Sequence, residues 1–556
     1  MLNKDIKKVL VIGSGPIVIG QGSEHDYCAT QACLALKENS IKTVLVNSNP
    51  TSMVTDGNIA DKVYIEPLNI DTIKRIIEKE KPDSVLATVG GITGLEIGLG
   101  LSLNGYLEEN KINLLGINPQ TIETLQNRQA FKNALIEIGE PTVASKVVSS
   151  VEAAEKFANE IGYPVIIRPA YTLGGDKEDF CYSEWELKEV AESTLKVSKL
   201  HEILVEKSIS GWKELEFEVV RDNSGNCISV CSLENVDPVG IHTGDSIIVA
   251  PAQTLNDVES ERLRASALNI ISKFNISGSC NVKFAIKPDG SEYAVLGVDA
   301  TLGRSSAIVS KVTGYPVAQV CTKIALGFAL DEIQNDIVGG LTACNEPNID
   351  YCALKFPKWS FDNFVEFDRQ LDTSMKSTGE TLSIGSSFEL AFMKAIRSID
   401  IGIDTPSMPK FENLSLEELY DIISKSDDER IFAVYTAIKK GASFEKLYEL
   451  TKIDYWFMSK LKNIANMEIA LKDTTDEEII KQAKAMGFPY SAIWTLANPA
   501  NKIQHYSAFK MVDTCAAEFD AKRPYFYSSF DEENEAQQYI EQHNDAREKV
   551  LIVGSG

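Results

Sequence analysis

Between residues 234 and 254 the chain reads ENVDPVGIHTGDSIIVAPAQT. Asp237, Gly240, His242, Gly244 and Asp245 fall within nine residues, and the tract then turns abruptly apolar. Gly240 and Gly244 admit backbone angles that other residues resist, and Pro238 fixes φ while removing a donor. A polar loop of this kind can aim backbone N–H groups and the His242 imidazole at an anion. Taken alone, the loop also reads as an ordinary turn before the strand SIIVA. Its surroundings decide between the two readings.

The N-terminal part alternates strand and helix. KKVLVIGSG (7–15) has the continuous apolar run of a buried parallel strand ending in a glycine turn. GSGPIVIGQG follows, then a helix over YCATQACLALKEN. TVLVNSNP (43–50), DKVYIEP (61–67) and DSVLATVGG (83–91) read as further strands, with a helix over DTIKRIIEKEKP between the last two. This pattern predicts an open α/β sheet, whose ligands bind at the carboxyl ends of strands. GSGPIVIG fails GxGxxG at its third glycine, which argues against a dinucleotide cofactor.

From about residue 128 the texture changes. A helix over FKNALIEIG leads to a strand-then-helix unit, and PVIIRPA (164–170) is a strand carrying Arg168. EILVEKSI (202–209) and the alternating GWKELEFEVVRD (211–222) are strands, and CNVKFAI with EYAVLGVDA make a strand pair around a PDG turn. After about residue 400 short amphipathic helices predict a bundle. KVLIVGSG (549–556) repeats KVLVIGSG (8–15) almost residue for residue, which suggests a duplicated chain cut at the start of its second copy, unless any glycine-ended strand looks alike.

Length and charge bound the function. A chain of 556 residues exceeds one core, so two to four domains are expected. Hydrophobic residues make up 44% and charged residues 24%, a globular composition. No apolar run reaches the roughly 18–20 residues that span a bilayer, and the N-terminus lacks a signal-peptide pattern. The ten cysteines form no CxxC pair, which points away from zinc and disulfides and toward a cytoplasmic home. A formal charge of −25 argues against nucleic acid as a partner.

Several motifs in order carry a family resemblance: GSGPIVIGQGSEHDY (13–27), NSNPTSMVTD (47–56), the 234–254 tract, GRSSAIVSKVTGYPVA (303–318), ERIFAV (429–434), YELTKID (448–454) and KMVDTCAAEF (510–519). Over essentially its whole length the chain resembles the N-terminal half of the carbamoyl phosphate synthetase large subunit. The resemblance implies a pre-ATP-grasp open parallel sheet domain over 1–127, an ATP-grasp α+β domain over 128–400 and an all-α oligomerisation or connecting domain over 401–547. Residues 548–556 would then be the first strand of a second synthetase half. In this family ATP phosphorylates bicarbonate, and ammonia from a glutaminase small subunit converts carboxyphosphate to carbamate, for pyrimidine and arginine biosynthesis. ATP and Mg²⁺ (or Mn²⁺) are the implied cofactors; the second synthetase half and further copies of the chain are the other implied partners.

Carried over residue by residue, the family's nucleotide contacts fall on Arg128, Arg168, Gly174, Gly175, Ile209, Glu214, Gly240, Ile241 and His242. The family's glycine-rich flap reads here Gly174-Gly175-Asp176-Lys177-Glu178-Asp179, with acids where backbone must approach a triphosphate. The family's magnesium ligands fall on Lys283, Gly297 and Asp299. Lysine offers no acceptor and glycine no side chain, so Asp299 is the residual candidate. Thr301 replaces an arginine, Lys207 aligns with an adenine-side glutamate beside Glu206, and Ile92 and Glu96 replace polar residues. These departures gather at the site and leave two expectations: a synthetase half that phosphorylates bicarbonate, or a module that keeps the fold and docks its partners with turnover impaired. A different ATP-grasp ligase is disfavoured by ERIFAV and KMVDTCAAEF.

Overall fold

A computed structural model describes residues 3–16, 22–169, 179–198, 201–335, 337, 339–363, 368–497, 505–516, 518, 521–543, 548 and 550–554. Among these, the first sheet joins β1 (Lys8–Ile12), β2 (Lys42–Asn47), β3 (Lys62–Ile65), β4 (Ser84–Leu86) and β5 (Asn113–Leu115) in the order β3-β2-β1-β4-β5, all parallel. Helices cover both faces, which is why β1 is an unbroken apolar run with Val9 to Ile12 fully buried. The order reverses between β1 and β4, so a crevice opens at their carboxyl ends. Only glycine fits there at Gly90, where a Cβ would lie 2.9 Å from the Ile12 carbonyl oxygen. The helix expected from Tyr27 begins earlier and runs Gly22–Glu38.

A second sheet holds β6 (Ser145–Val148), β7 (Val165–Pro169), β8 (Asp179–Cys181) and β9 (Ile203–Lys207) in the order β6-β9-β7-β8. Helices Val151–Ile161 and Glu184–Val197 back it, each capped by a serine side chain, Ser150 or Ser183.

The third sheet is antiparallel: β10 (Lys213–Arg221), β11 (Cys227–Asn235), β12 (Ile248–Ala250), β13 (Gly278–Ile286), β14 (Tyr293–Asp299), β15 (Cys352–Lys358) and β16 (Gly379–Gly385), in the order β14-β13-β10-β11-β12-β15-β16. One core packs Leu215, Phe217, Phe284 and Val295 against helix Asp257–Lys273, which opens with a reciprocal Asn256/Glu259 cap. The fold is thus α/β: an open parallel sheet, then a four-stranded and a seven-stranded sheet, then helices.

Those helices include Leu416–Ile423, Arg430–Lys439, Phe444–Thr451, Tyr455–Leu471 and Glu477–Ala485. They pack with helix Phe388–Ser398 around Phe392, Phe432, Tyr435, Phe457 and Phe488. One feature was not foreseen among them: β17 (Ala508–Met511) and β18 (Phe526–Ser529) form an antiparallel ribbon. Tyr527 of that ribbon stacks obliquely on Tyr351, with centroids 5.2 Å apart. A four-residue strand is too short to show a period in sequence. No helix among the described residues is long and apolar enough to cross a membrane.

Candidate nucleotide site

Strand β10 reads KELEFEVVR, and its alternation puts Glu214, Glu216 and Glu218 on one face. Cross-strand register sets Ala285, Lys283 and Asn281 opposite them, and places Gly297 and Asp299 opposite Lys283 and Asn281 on β14. Four carboxylates and one ammonium therefore share one patch of sheet.

Their fates differ with their partners. Glu216 accepts from Ser305 at 2.8 Å and from Thr243 at 3.0 Å, and the Lys283 ammonium stands 3.7 Å away. Burial pushes its carboxyl up, but Lys283, Ser305, Arg304 and Thr243 outweigh burial and hold it below the usual range. Glu218 accepts from Ser279 and from Ser306, yet burial dominates and raises its pKa to about 7. Burial likewise pushes Glu214 up to about 7, with Lys283 and Asn235 opposing.

The 234–254 loop forms the facing wall. Gly240 adopts φ +120°, a conformation that favours glycine. The backbone N–H of Gly244 donates to His242 Nδ1 at 3.0 Å, so the neutral ring carries its proton on Nε2. Burial lowers the His242 pKa to about 4, helped by Arg304 and Lys283. The imidazole is thus a neutral donor at physiological pH.

The loop is tied down from several sides. His242 N donates to the Asp372 carbonyl at 2.7 Å, and Asp245 accepts from the backbone N–H groups of Lys376 and Ser377 at 2.7 and 2.6 Å. Buried Lys355 on β15 donates to the carbonyls of Thr243 at 3.2 Å and Gly244 at 2.9 Å. Burial brings the Lys355 pKa down to about 8, against the pull of Glu380. At the loop's start, Asp237 pairs with Arg430 of the helical region.

The expected contact residues are spread over several elements. Ile209 and Glu214 are buried. Ile241 turns its side chain into a small apolar cluster with Phe361 and Leu371, leaving only its backbone for a ligand. Arg128 is exposed at the first turn of helix Arg128–Glu137. Arg168 on β7 lies 3.4 Å from Glu206 of β9. Lys207 instead donates to the carbonyls of Gly162 and Tyr163, at 3.0 and 3.3 Å, so Glu206 and Lys207 serve different neighbours. Gly174 and Gly175 lie outside the described residues. Glu216, Thr243, Ser305 and Lys355 were not picked out in the sequence. The signal for Glu216 was there: three acids at a period of two on an otherwise apolar strand.

Comparisons with known proteins follow the same order along the chain. Residues 5–124 match the carbamoyl phosphate synthase preATP-grasp domain, 127–333 the carbamoyl-phosphate synthase L chain ATP binding domain, and 380–511 the carbamoyl-phosphate synthetase large chain oligomerisation domain. The chain belongs to the carbamoyl phosphate synthase large-chain family. It is 49% identical over 565 aligned positions to the carbamoyl phosphate synthase large chain of Agathobacter rectalis, a match that takes in 100% of this chain and 52% of that one. It therefore spans about half the length of the curated relatives it matches. In fold it is similar to biotin carboxylase from Campylobacter jejuni, with TM-score 0.55 and 16% identity over 80% of this chain and 99% of that one. It is also similar to the biotin carboxylase domain of Hydrogenobacter thermophilus 2-oxoglutarate carboxylase, with TM-score 0.54 and 19% identity over 70% and 90%.

The family implies a magnesium ion, and two of the three positions that the resemblance assigns to it, Lys283 and Gly297, carry no oxygen in their side chains. Among the described residues no three His, Cys, Asp or Glu side chains group as metal ligands. Lys283 brings a positive charge to Glu216, Gly297 brings no donor, and Asp299 Oδ1 already accepts from Thr301 N and Oγ1 at 2.9 and 2.7 Å. Magnesium requires several oxygen ligands in octahedral array.

Proposed function

We propose that this chain is the nucleotide-holding, docking half of a carbamoyl phosphate synthase-type assembly, in which bicarbonate phosphorylation is impaired. ATP enters the cleft between the second and third sheets. Arg128 and Arg168 face its phosphates, Ile209 and Glu214 its nucleoside, and the Gly240–His242 backbone with His242 Nε2–H closes the far side. The glutaminase small subunit and a second synthetase half are its partners, with pyrimidine and arginine biosynthesis as the setting. The ammonium of Lys283 and the missing side chain of Gly297, at two of the three positions the family gives to its metal, carry this reading: phosphoryl transfer depends on charge neutralisation at the transferred group, and metal ions supply most of it.

The competing reading is the family reaction itself, phosphorylation of bicarbonate and capture by ammonia to give carbamate. His242, held by the Gly244 N–H, and Glu216, held by Thr243 and Ser305, favour it. One assay series separates them. The proposal expects ATP to bind by calorimetry while bicarbonate with Mg·ATP releases no phosphate above background. Bicarbonate-dependent phosphate release overturns it in favour of the family reaction.

A further inference from the structure

The Lys283 ammonium sits where three rows of side chains meet. Opposite it on β10 is Glu216, with Nζ 3.7 Å from Oε1, and opposite it on β14 is Gly297. Nothing lies within 4 Å of the position a Cβ on Gly297 would take, so the space over Gly297, opposite Lys283, is open. The Lys283 side chain is 32% exposed and Glu216 is 2% exposed. The amine therefore reaches up from a buried carboxylate toward the cleft. A 3.7 Å ion pair leaves ammonium protons for another acceptor, because –NH₃⁺ carries three donors.

The alternative occupant of this place is a divalent cation, and it is disfavoured twice. It would have to displace or approach an ammonium of like charge, and the carboxylate it needs, Glu216, is already committed to Lys283, Ser305 and Thr243. An anionic phosphate faces the opposite balance. Without Lys283 it would meet Glu214, Glu216 and Asp299; with it, one fixed positive charge stands between the acids and the ligand.

We infer that Lys283 is the resident counter-cation of the cleft, so that nucleotide phosphates bind to the Lys283 ammonium without a divalent metal. This rests on the nucleotide reading above. It adds that the affinity owes nothing to Mg²⁺ and that the exchange is reversible by changing Lys283 and Gly297 together.

Isothermal titration of ATP into the full chain tests it, once in EDTA and once in excess Mg²⁺. The expected Kd values agree within about threefold. In EDTA, Lys283→Met weakens binding by about tenfold or more, and Lys283→Arg, which keeps the charge, restores most of it. Lys283→Gln with Gly297→Glu makes binding depend on Mg²⁺. Binding by the parent only in Mg²⁺, or unchanged binding by Lys283→Met in EDTA, overturns the inference and leaves the nucleotide reading standing. No binding under either condition overturns both. Circular dichroism and thermal melts of each variant separate loss of binding from loss of fold.

Discussion

Arg430, at the start of helix Arg430–Lys439, is ion-paired with Asp237 of the 234–254 loop, and the arginine is 5% exposed. One end of the candidate site is thereby fastened to the helical region. Asp237 also accepts from Ser246 Oγ at 3.0 Å, and Arg430 donates to Ser426 Oγ at 2.8 Å. The pair thus links β11, the loop and the helices. Removing one partner strands a buried charge, so Arg430→Ala is expected to cost about 3–5 kcal/mol in urea unfolding. Adding Asp237→Asn to Arg430→Ala recovers a measurable part. Equal stability of both variants and parent would show that the pair contributes nothing.

Buried Lys355 supports the same loop from below. Its loss takes a donor from the Thr243 and Gly244 carbonyls, leaving the Gly244 oxygen with Ser377 Oγ at 3.2 Å, and leaves Glu380, 3.9 Å away, without its cation. Lys355→Met is expected to destabilise the protein by about 3 kcal/mol and to broaden the NMR signals of residues 242–245. Unchanged denaturation midpoints would contradict this.

Glu214 makes stability depend on pH. Its pKa rises from 4.5 to about 7 through burial. Below pH 4.5 the carboxyl is neutral in both folded and unfolded chains, and its contribution is fully present. Between pH 4.5 and 7 the unfolded chain ionises first, so this contribution falls, by about 3 kcal/mol in all. Glu214→Gln should therefore gain on the parent as pH rises through this window and hold its advantage above pH 7. Parallel stability curves for the two proteins from pH 4 to 8 would refute the shift.

His242 moves the other way. Its pKa falls from 6.5 to about 4, so the neutral ring persists well below the usual histidine range. Its contribution to stability is present above pH 6.5 and is lost as pH falls through about 4. Nitrogen chemical shifts of the imidazole should report the Nε2–H tautomer at pH 7 and little protonation at pH 5. An imidazolium signal at pH 6 would be inconsistent with the buried loop.

Glycines at two positions predict opposite tolerance. Gly297→Glu enters open space and should change stability by no more than about 0.5 kcal/mol. At Gly94 a Cβ would lie 2.5 Å from the Ala87 carbonyl oxygen, so Gly94→Ala should cost about 1–3 kcal/mol. Thermal melts of the two variants decide it.

Much of this fold was legible because burial leaves its mark on local sequence. The apolar run of β1 reports two covered faces, and the alternation in β10 separates an apolar face from an acidic one, although both are buried. The site was legible only in part. His242 and Gly240 stand in a tract whose composition singles them out. Glu216 and Lys283 become a pair only through the β10–β13 register, which no local pattern encodes. Lys355 reads as one of two lysines in a mostly apolar strand, and only the packed structure shows what its amine supports. The ribbon of β17 and β18 escaped because four residues carry too little periodicity.

Gly297 keeps a way back open. Codons for glycine and glutamate can differ by a single base, as can those for lysine and glutamine. The substitution at Gly297 adds atoms only where there is room, and the one at Lys283 removes bulk. An ancestor or descendant with two more oxygen donors facing Asp299 is therefore a near neighbour in mutational space, with no packing barrier between. Selection on such a chain can exchange one kind of counter-ion for another without first rebuilding the scaffold that holds it.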